Sequence, residues 1–108
     1  MFNVLDMSRM IPRDNVLPVL TFKLISEMDI MDIVEEDKLS KFINQAQKGY
    51  DPRVAYHNDL HGADVMQMTY YLMVNCNLME ILKMNKLDTL SMLISAGCHD
   101  LGHDGLNN

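Results

Sequence analysis

The stretch NDLHGADVMQMTYYLMVN, residues 58–75, decides the reading of the fold. His61, Val65, Met68 and Leu72 recur along it at spacings of four, three and four, the period at which side chains fall on one face of an α-helix. A helix is therefore expected from near Asn58 to about Asn75, with His61 heading an apolar stripe. On its C-terminal side another helix is expected from near Asn85, where Asn85 and Asp88 resemble a capping box with Asp in place of Glu or Gln. That helix carries Leu87, Leu90, Ile94 and Leu101 on one side and runs into Gly102 and Gly105.

The N-terminal side continues the pattern. Tyr50 to Val54, with Pro52, reads as a loop, and before it a helix is expected from about Glu35 to Lys48. Its acids Glu35, Glu36 and Asp37 sit where the helix dipole favours negative charge. Leu39, Phe42, Ile43 and Ala46 form its expected buried stripe, and Gly49 its stop. Asp29 to Val34 alternates weakly and joins this helix to one beginning at Leu17. There Leu17, Leu20, Leu24 and Met28 recur at three and four, with Pro18 tolerated in the first turn. Residues 1–14 show no sustained period and read as an irregular lead-in. No segment gives a convincing strand, so the fold class expected is all-α, a multi-helix bundle.

Composition bounds the rest. A chain of 108 residues makes one domain, and size scaling leaves roughly two-thirds of its unfolded surface buried, enough for one modest core and not for a complete large enzyme. Fifteen acidic against nine basic residues give a net charge of −6, which argues against a nucleic-acid footprint or an anionic-membrane patch. A small anionic substrate is still compatible, because a bound metal reverses the sign locally. No apolar run approaches the length of a transmembrane span, and Asp6, Arg9, Arg13 and Asp14 are out of place in a secretory signal. Cys76 and Cys98 are too few for a disulfide scaffold and read as free thiols of a cytoplasmic protein. Eleven methionines read as gap-filling core residues.

All four histidines fall in two short clusters, Tyr56-His57-Asn58-Asp59-Leu60-His61-Gly62-Ala63-Asp64-Val65 and His99-Asp100-Leu101-Gly102-His103-Asp104-Gly105-Leu106-Asn107-Asn108. Each contains H-x-x-x-H, which places two imidazoles on one helix face, able to share a metal or to divide ligand and acid roles. Neighbouring His99 and Asp100 point about 100° apart on a helix, so both reach one ion only at a bend or helix end, and Gly102 and Gly105 make such an irregularity there. Imidazole with carboxylate suits zinc and related metals, and carboxylate with water suits magnesium or manganese, so Asp100 can bridge two ions. Asp64 can cap, solvate or orient a histidine. Ala96, His99 and His103 continue one face that can pack on the His61 face.

The clusters resemble the signatures of the catalytic domain of class I cyclic-nucleotide phosphodiesterases, a branch of the HD-type metal hydrolases. Tyr56 to Val65 is similar to the family's Y-H-N-x-x-H-x-x-D-V, and His99 to Asn108 to its H-D-x-x-H-x-G-x-x-N, at each fixed position. Phe2-Asn3-Val4, Gly49-Tyr50 and Thr69-Tyr70-Tyr71-Leu72 extend the resemblance over essentially the whole chain. It implies that His57 acts as general acid toward the departing O3′ of a cyclic phosphate. It implies that His61, His99 and Asp100 hold a tightly bound ion, usually zinc, with Asp100 also reaching a second, commonly magnesium or manganese. His103 would stand near the second ion's waters. The implied activity is hydrolysis of cAMP or cGMP to the 5′-monophosphate in signal transduction.

Gly102 departs from the family pattern, which usually has an acidic residue there. The family's domain is also considerably longer, with a fourth zinc ligand, an Asp, and the purine-holding glutamine and hydrophobic clamp lying downstream. Residues 1–108 are accordingly expected to be the N-terminal part of such a domain, marginally stable, prone to self-associate and inactive or nearly so alone. Two other readings stand beside this one: a non-catalytic metal-binding or interaction module, and an HD-type hydrolase of another phosphoester. The Tyr56-His57-Asn58 lead-in argues against the last.

Overall fold

The computed structural model describes residues 12, 15–51, 53, 54 and 58–101. It contains helices α1 (Val16–Glu27), α2 (Glu36–Gly49), α3 (Asp59–Asn75), α4 (Leu78–Ile81) and α5 (Lys86–Cys98), with a 3-10 turn at Met31–Ile33 between α1 and α2. The fold is all-α, with no strand among the described residues. None of these helices is long and apolar enough to cross a membrane.

Helix α1 buries Val16, Leu17, Leu20, Thr21, Leu24 and Ile25, a face wide enough to contact α2, α3 and α5 together. Fully burying a side chain such as Leu20 is worth about 1.5–3 kcal/mol. Pro18 costs little in the first turn, where backbone N–H groups have no helical partner anyway. Asn15 makes no side-chain cap. The Leu17 N–H donates instead to Gln47 Oε1 of α2 at 2.9 Å, and Gln47 Nε2 donates to Asp59 Oδ2 of α3 at 2.8 Å. One buried amide thus joins three helices.

The helix ends explain the chain's turns. After α1, Asp29 adopts φ 57°, its N–H bonds to the Ser26 carbonyl and the Ile30 N–H to the Ile25 carbonyl, so a Schellman closure forms with Asp in the left-handed position. Lys83, at φ 53°, closes α4 the same way, with its N–H on the Glu80 carbonyl and the Met84 N–H on the Met79 carbonyl. Asn77, at φ 57°, turns the chain from α3 into α4.

The core gathers Val16, Leu17, Leu20, Leu24, Ile43, Ala46, Tyr50, Ala63, Met66, Met73 and Leu93. Met66 and Met73 fill it as expected of methionine, whereas Met68 is 65% exposed. Three expected stripes are corrected, those of α2, α3 and α5. Phe42 lies outside the core, half-exposed, because α2 packs through Ile43, Ala46 and Gln47 and no described element covers the adjoining face. On α3 the buried face is Asp59, Gly62, Ala63, Met66, Gln67 and Met73, one position round from the expected stripe, and Met68 and Leu72 face outward.

The cause is the close packing of α3 on α5, the most extensive helix pair. A Cβ on Gly62 would lie 2.6 Å from the Gly97 carbonyl oxygen, and one on Gly97 would collide with the Met66 terminal methyl. Two glycines facing each other draw the backbones together and set which side of α3 turns inward. The α5 start is the expected capping box, with Asp88 N–H on Asn85 Oδ1 at 2.8 Å and Asn85 N–H on Asp88 Oδ2 at 3.2 Å. Thr89, Leu93 and Gly97 are its buried residues, and Leu87 is exposed. Leu101 lies beyond the helix in a turn, not on its face.

Candidate metal centre

Helix α3 delivers His61 in its first turn. Asn58 caps that turn, its Oδ1 accepting the His61 N–H at 3.1 Å while its Nδ2 donates to the Val54 carbonyl at 2.9 Å. Asp59 beside it places a carboxylate where the helix dipole favours one, buried against the Gln47 amide. His61 is therefore fixed at the end of α3 nearest α5.

Helix α5 ends at Cys98, so His99 and Asp100 leave it at the helix terminus, where adjacent side chains can converge. His99 Nδ1 lies 2.7 Å from the Ala96 carbonyl oxygen. A carbonyl only accepts, so Nδ1 carries a proton and Nε2 is the ring nitrogen turned toward Asp100. His99 Nε2 lies 2.8 Å and His61 Nε2 3.3 Å from Asp100 Oδ2, with the imidazole centroids 5.2 Å apart. Donor atoms of His61, His99 and Asp100 all lie within 4.8 Å of one another.

This donor set fits a divalent cation. Ligands at zinc-like bond lengths in a tetrahedron stand about 3.3 Å apart, close to the nitrogen-to-oxygen distances here. An imidazole nitrogen beside a carboxylate oxygen calls for a proton or a cation between them, and one divalent ion can serve both imidazoles at once. The Asp100 side chain is only 10% exposed, so little water competes for it.

Tyr50, where the chain leaves α2, reaches into the same region. It is 4% exposed, donates its hydroxyl to the Gly97 carbonyl at 2.9 Å and accepts the Asp100 N–H at 3.3 Å. Burial pushes its hydroxyl up to about 12, so it stays a neutral donor. Burial likewise pushes the Cys98 thiol up, which suppresses its thiolate. Both Cys76 and Cys98 are free.

An open groove of about 520 Å³ borders the centre, lined by His61, Asp64, Val65, Gln67, Met68 and Tyr71. Asp64 is exposed on its wall. Of the residues singled out in sequence, His61, His99 and Asp100 are brought together, and His57 and His103 lie outside the described residues. Tyr50, Gln47 and Asp59 are additional supports. Gln47 had a local signal, since it continues the Ile43 face by one turn; no local pattern marks Tyr50 as a partner of residues in α5.

Comparison with known proteins completes the description of the site. The family model for 3′5′-cyclic nucleotide phosphodiesterase matches residues 56–108, the segment holding all four histidines. The chain is 36% identical over 97 residues to the 3′,5′-cyclic-nucleotide phosphodiesterase regA of Dictyostelium discoideum, covering 88% of this chain and 12% of that protein. It is 28% identical over 94 residues to the 3′,5′-cyclic-AMP phosphodiesterase 4C of Rattus norvegicus, covering 85% and 17%. It is 36% identical over 75 residues to the rod cGMP-specific 3′,5′-cyclic phosphodiesterase subunit alpha of Bos taurus, covering 69% and 8%. The chain thus spans less than a fifth of the length of each of these relatives. No solved structure matches it.

Proposed function

Because the chain belongs to the 3′,5′-cyclic-nucleotide phosphodiesterase family, we propose that residues 1–108 are the N-terminal part of a phosphodiesterase catalytic domain and hold its first metal ion. The parent activity is hydrolysis of cAMP or cGMP to the 5′-nucleoside monophosphate, in signal transduction in the cytoplasm. The observation that carries this reading is the approach of His61 Nε2 and His99 Nε2 to Asp100 Oδ2 across two helices.

His61, His99 and Asp100 would hold a zinc ion, and Asp100 would also serve a second ion, magnesium or manganese. Bound divalent ions supply Lewis acidity toward phosphate oxygens and lower the pKa of water. The Nδ1–H contact to Ala96 keeps the His99 ring in one tautomer and one orientation. Asp100 supplies negative charge in a largely dry setting, where it attracts cations most strongly. His57 is the general acid that protonates O3′, a task suited to an imidazole whose ordinary pKa lies near neutrality. His103 is assigned a catalytic role by its place in the second histidine cluster. The chain by itself self-associates through its uncovered apolar faces.

Two measurements test this. In calorimetric titration of the chelator-stripped chain with Zn²⁺, His61→Ala, His99→Ala and Asp100→Ala should each weaken binding at least tenfold; unchanged binding in all three would refute the ligand set. In assays with cAMP and cGMP plus zinc and magnesium, a polypeptide extended to the length of a whole domain should be active and should lose activity on His57→Ala or Asp100→Ala. Metal uptake without hydrolysis at any length would establish a non-catalytic binding module instead.

A further inference from the structure

Where α5 stops, four backbone groups need partners that a continuing helix would have given them. The Ala96 carbonyl, which would have received the Asp100 amide, lies against His99 Nδ1. The Leu101 N–H, which would have gone to Gly97, bonds to the Cys98 carbonyl at 3.0 Å. The Gly97 carbonyl and the Asp100 amide are left over, and the Tyr50 hydroxyl meets both, donating to one and accepting from the other. A hydroxyl can do both through a single atom.

We propose that Tyr50 is a positioning residue of the metal centre: its hydroxyl fixes the direction in which the chain leaves α5, and so aims His99 and Asp100 at His61. The inference rests on the metal-binding reading above. Three features support it. Tyr50 follows directly on α2, so its ring is carried by a helix independent of α5. Gly62, the neighbour of His61, sits against the same hydroxyl, with a Cβ there falling 3.1 Å from the Tyr50 oxygen. Gly49 receives Leu101 so closely that a Cβ would lie 2.7 Å from Leu101 Cδ1. Asp100 is thus tethered at its own amide and clamped at the next residue, both from the end of α2. The Tyr50 hydroxyl bonds to the Gly97 carbonyl and the Asp100 amide, so it acts through the backbone that carries the donor atoms.

The test is Tyr50→Phe, which keeps the ring and removes the oxygen. Zn²⁺ affinity, measured by titration where circular dichroism shows both chains folded, is expected to fall roughly tenfold or more, as when an outer support of a ligand is lost. The visible absorption of the Co²⁺ form should change as well. Leu20→Ala, a core substitution in α1, serves as control: it should lower the metal-free melting temperature and leave metal affinity unchanged. If Tyr50→Phe behaves like that control, the positioning role is wrong while the ligand assignment stands. If the unsubstituted chain takes up no metal, the ligand assignment falls and this inference with it. Should Tyr50→Phe not fold, hydrogen exchange of the Asp100 amide in the unsubstituted chain decides. Protection supports the tether, and exchange as fast as an open amide overturns it.

Discussion

At Gly62 the two donor-bearing helices meet closely, and the obstacle to any side chain there is a backbone oxygen. A flexible side chain could swing away from a new methyl, but the Gly97 carbonyl cannot move without its helix. Gly62→Ala should therefore push α3 and α5 apart and cost about 1–3 kcal/mol, read as a lower urea midpoint at unchanged slope. The same displacement should weaken metal uptake; an unchanged midpoint would show that α5 yields freely. Residue chemistry was legible in sequence as far as residue type and spacing carry it. His61, His99 and Asp100 announce themselves by their intervals, and the helix-end argument for His99 and Asp100 matches the stop at Cys98. Tyr50 and Asp59 do not announce themselves. Their partners lie on or just beyond other helices, and only the gathering of α2, α3 and α5 around α1 brings a phenol to a glycine carbonyl, or a carboxylate to a buried amide.

At the level of elements, the four longer helices were legible because each carries a three-and-four repeat, and their ends fell within a residue or two except for the last, which stops at Cys98 before the Leu101 expected on it. The short α4 was not, since one turn of apolar residues has no period to read. Turns that lack glycine were equally silent. Asp29, Asn77 and Lys83 all take the left-handed conformation usually left to glycine. Stripes were harder than helices: periodicity locates an apolar face but does not say which face a close glycine contact will turn inward, as with Met68, or which face is left without a described neighbour, as with Phe42. The capping box of α5 gives a direct test. Asn85→Ala removes the acceptor for the Asp88 amide and should cost about 1 kcal/mol, seen as a lower melting temperature. Beside it, Lys86 Nζ meets Asp32 Oδ2 at 2.7 Å, joining α5 to the 3-10 turn. The Lys86 hydrogen bond holds the Asp32 carboxyl below its ordinary 3.8, and the Asp32 carboxylate holds Lys86 above its ordinary 10.5. The pair's contribution is fully present between those ordinary values. It is lost as pH falls through the depressed Asp32 value, or rises through the raised Lys86 value. The melting-temperature gap between the native chain and Asp32→Asn should therefore close toward strong acid and strong alkali, and shrink in high salt.

Across the whole molecule, the outward side of α3 presents Met68, Tyr71, Leu72 and Val74, all exposed, beside the groove at His61. A net charge of −6 opposes association but does not hide such a surface. Sedimentation velocity should show a weight-average mass that rises with protein concentration and with salt, and Met68→Glu with Leu72→Glu should return it to that of a monomer. A concentration-independent monomer before substitution would show that this face is tolerated by water.

The joining of α3 to α5 also makes the stretch from His61 to His99 a closed loop, tied at its ends and turning at an exposed tip around Lys83. Ring-closure entropy grows only with the logarithm of length, about 0.6 kcal/mol for each doubling. A guest peptide spliced in after Lys83 should therefore be carried as a passenger, with the melting midpoint and zinc affinity near those of the uninterrupted chain. A fluorophore-bearing graft at that tip would then give a way to watch the two helices dock without touching either.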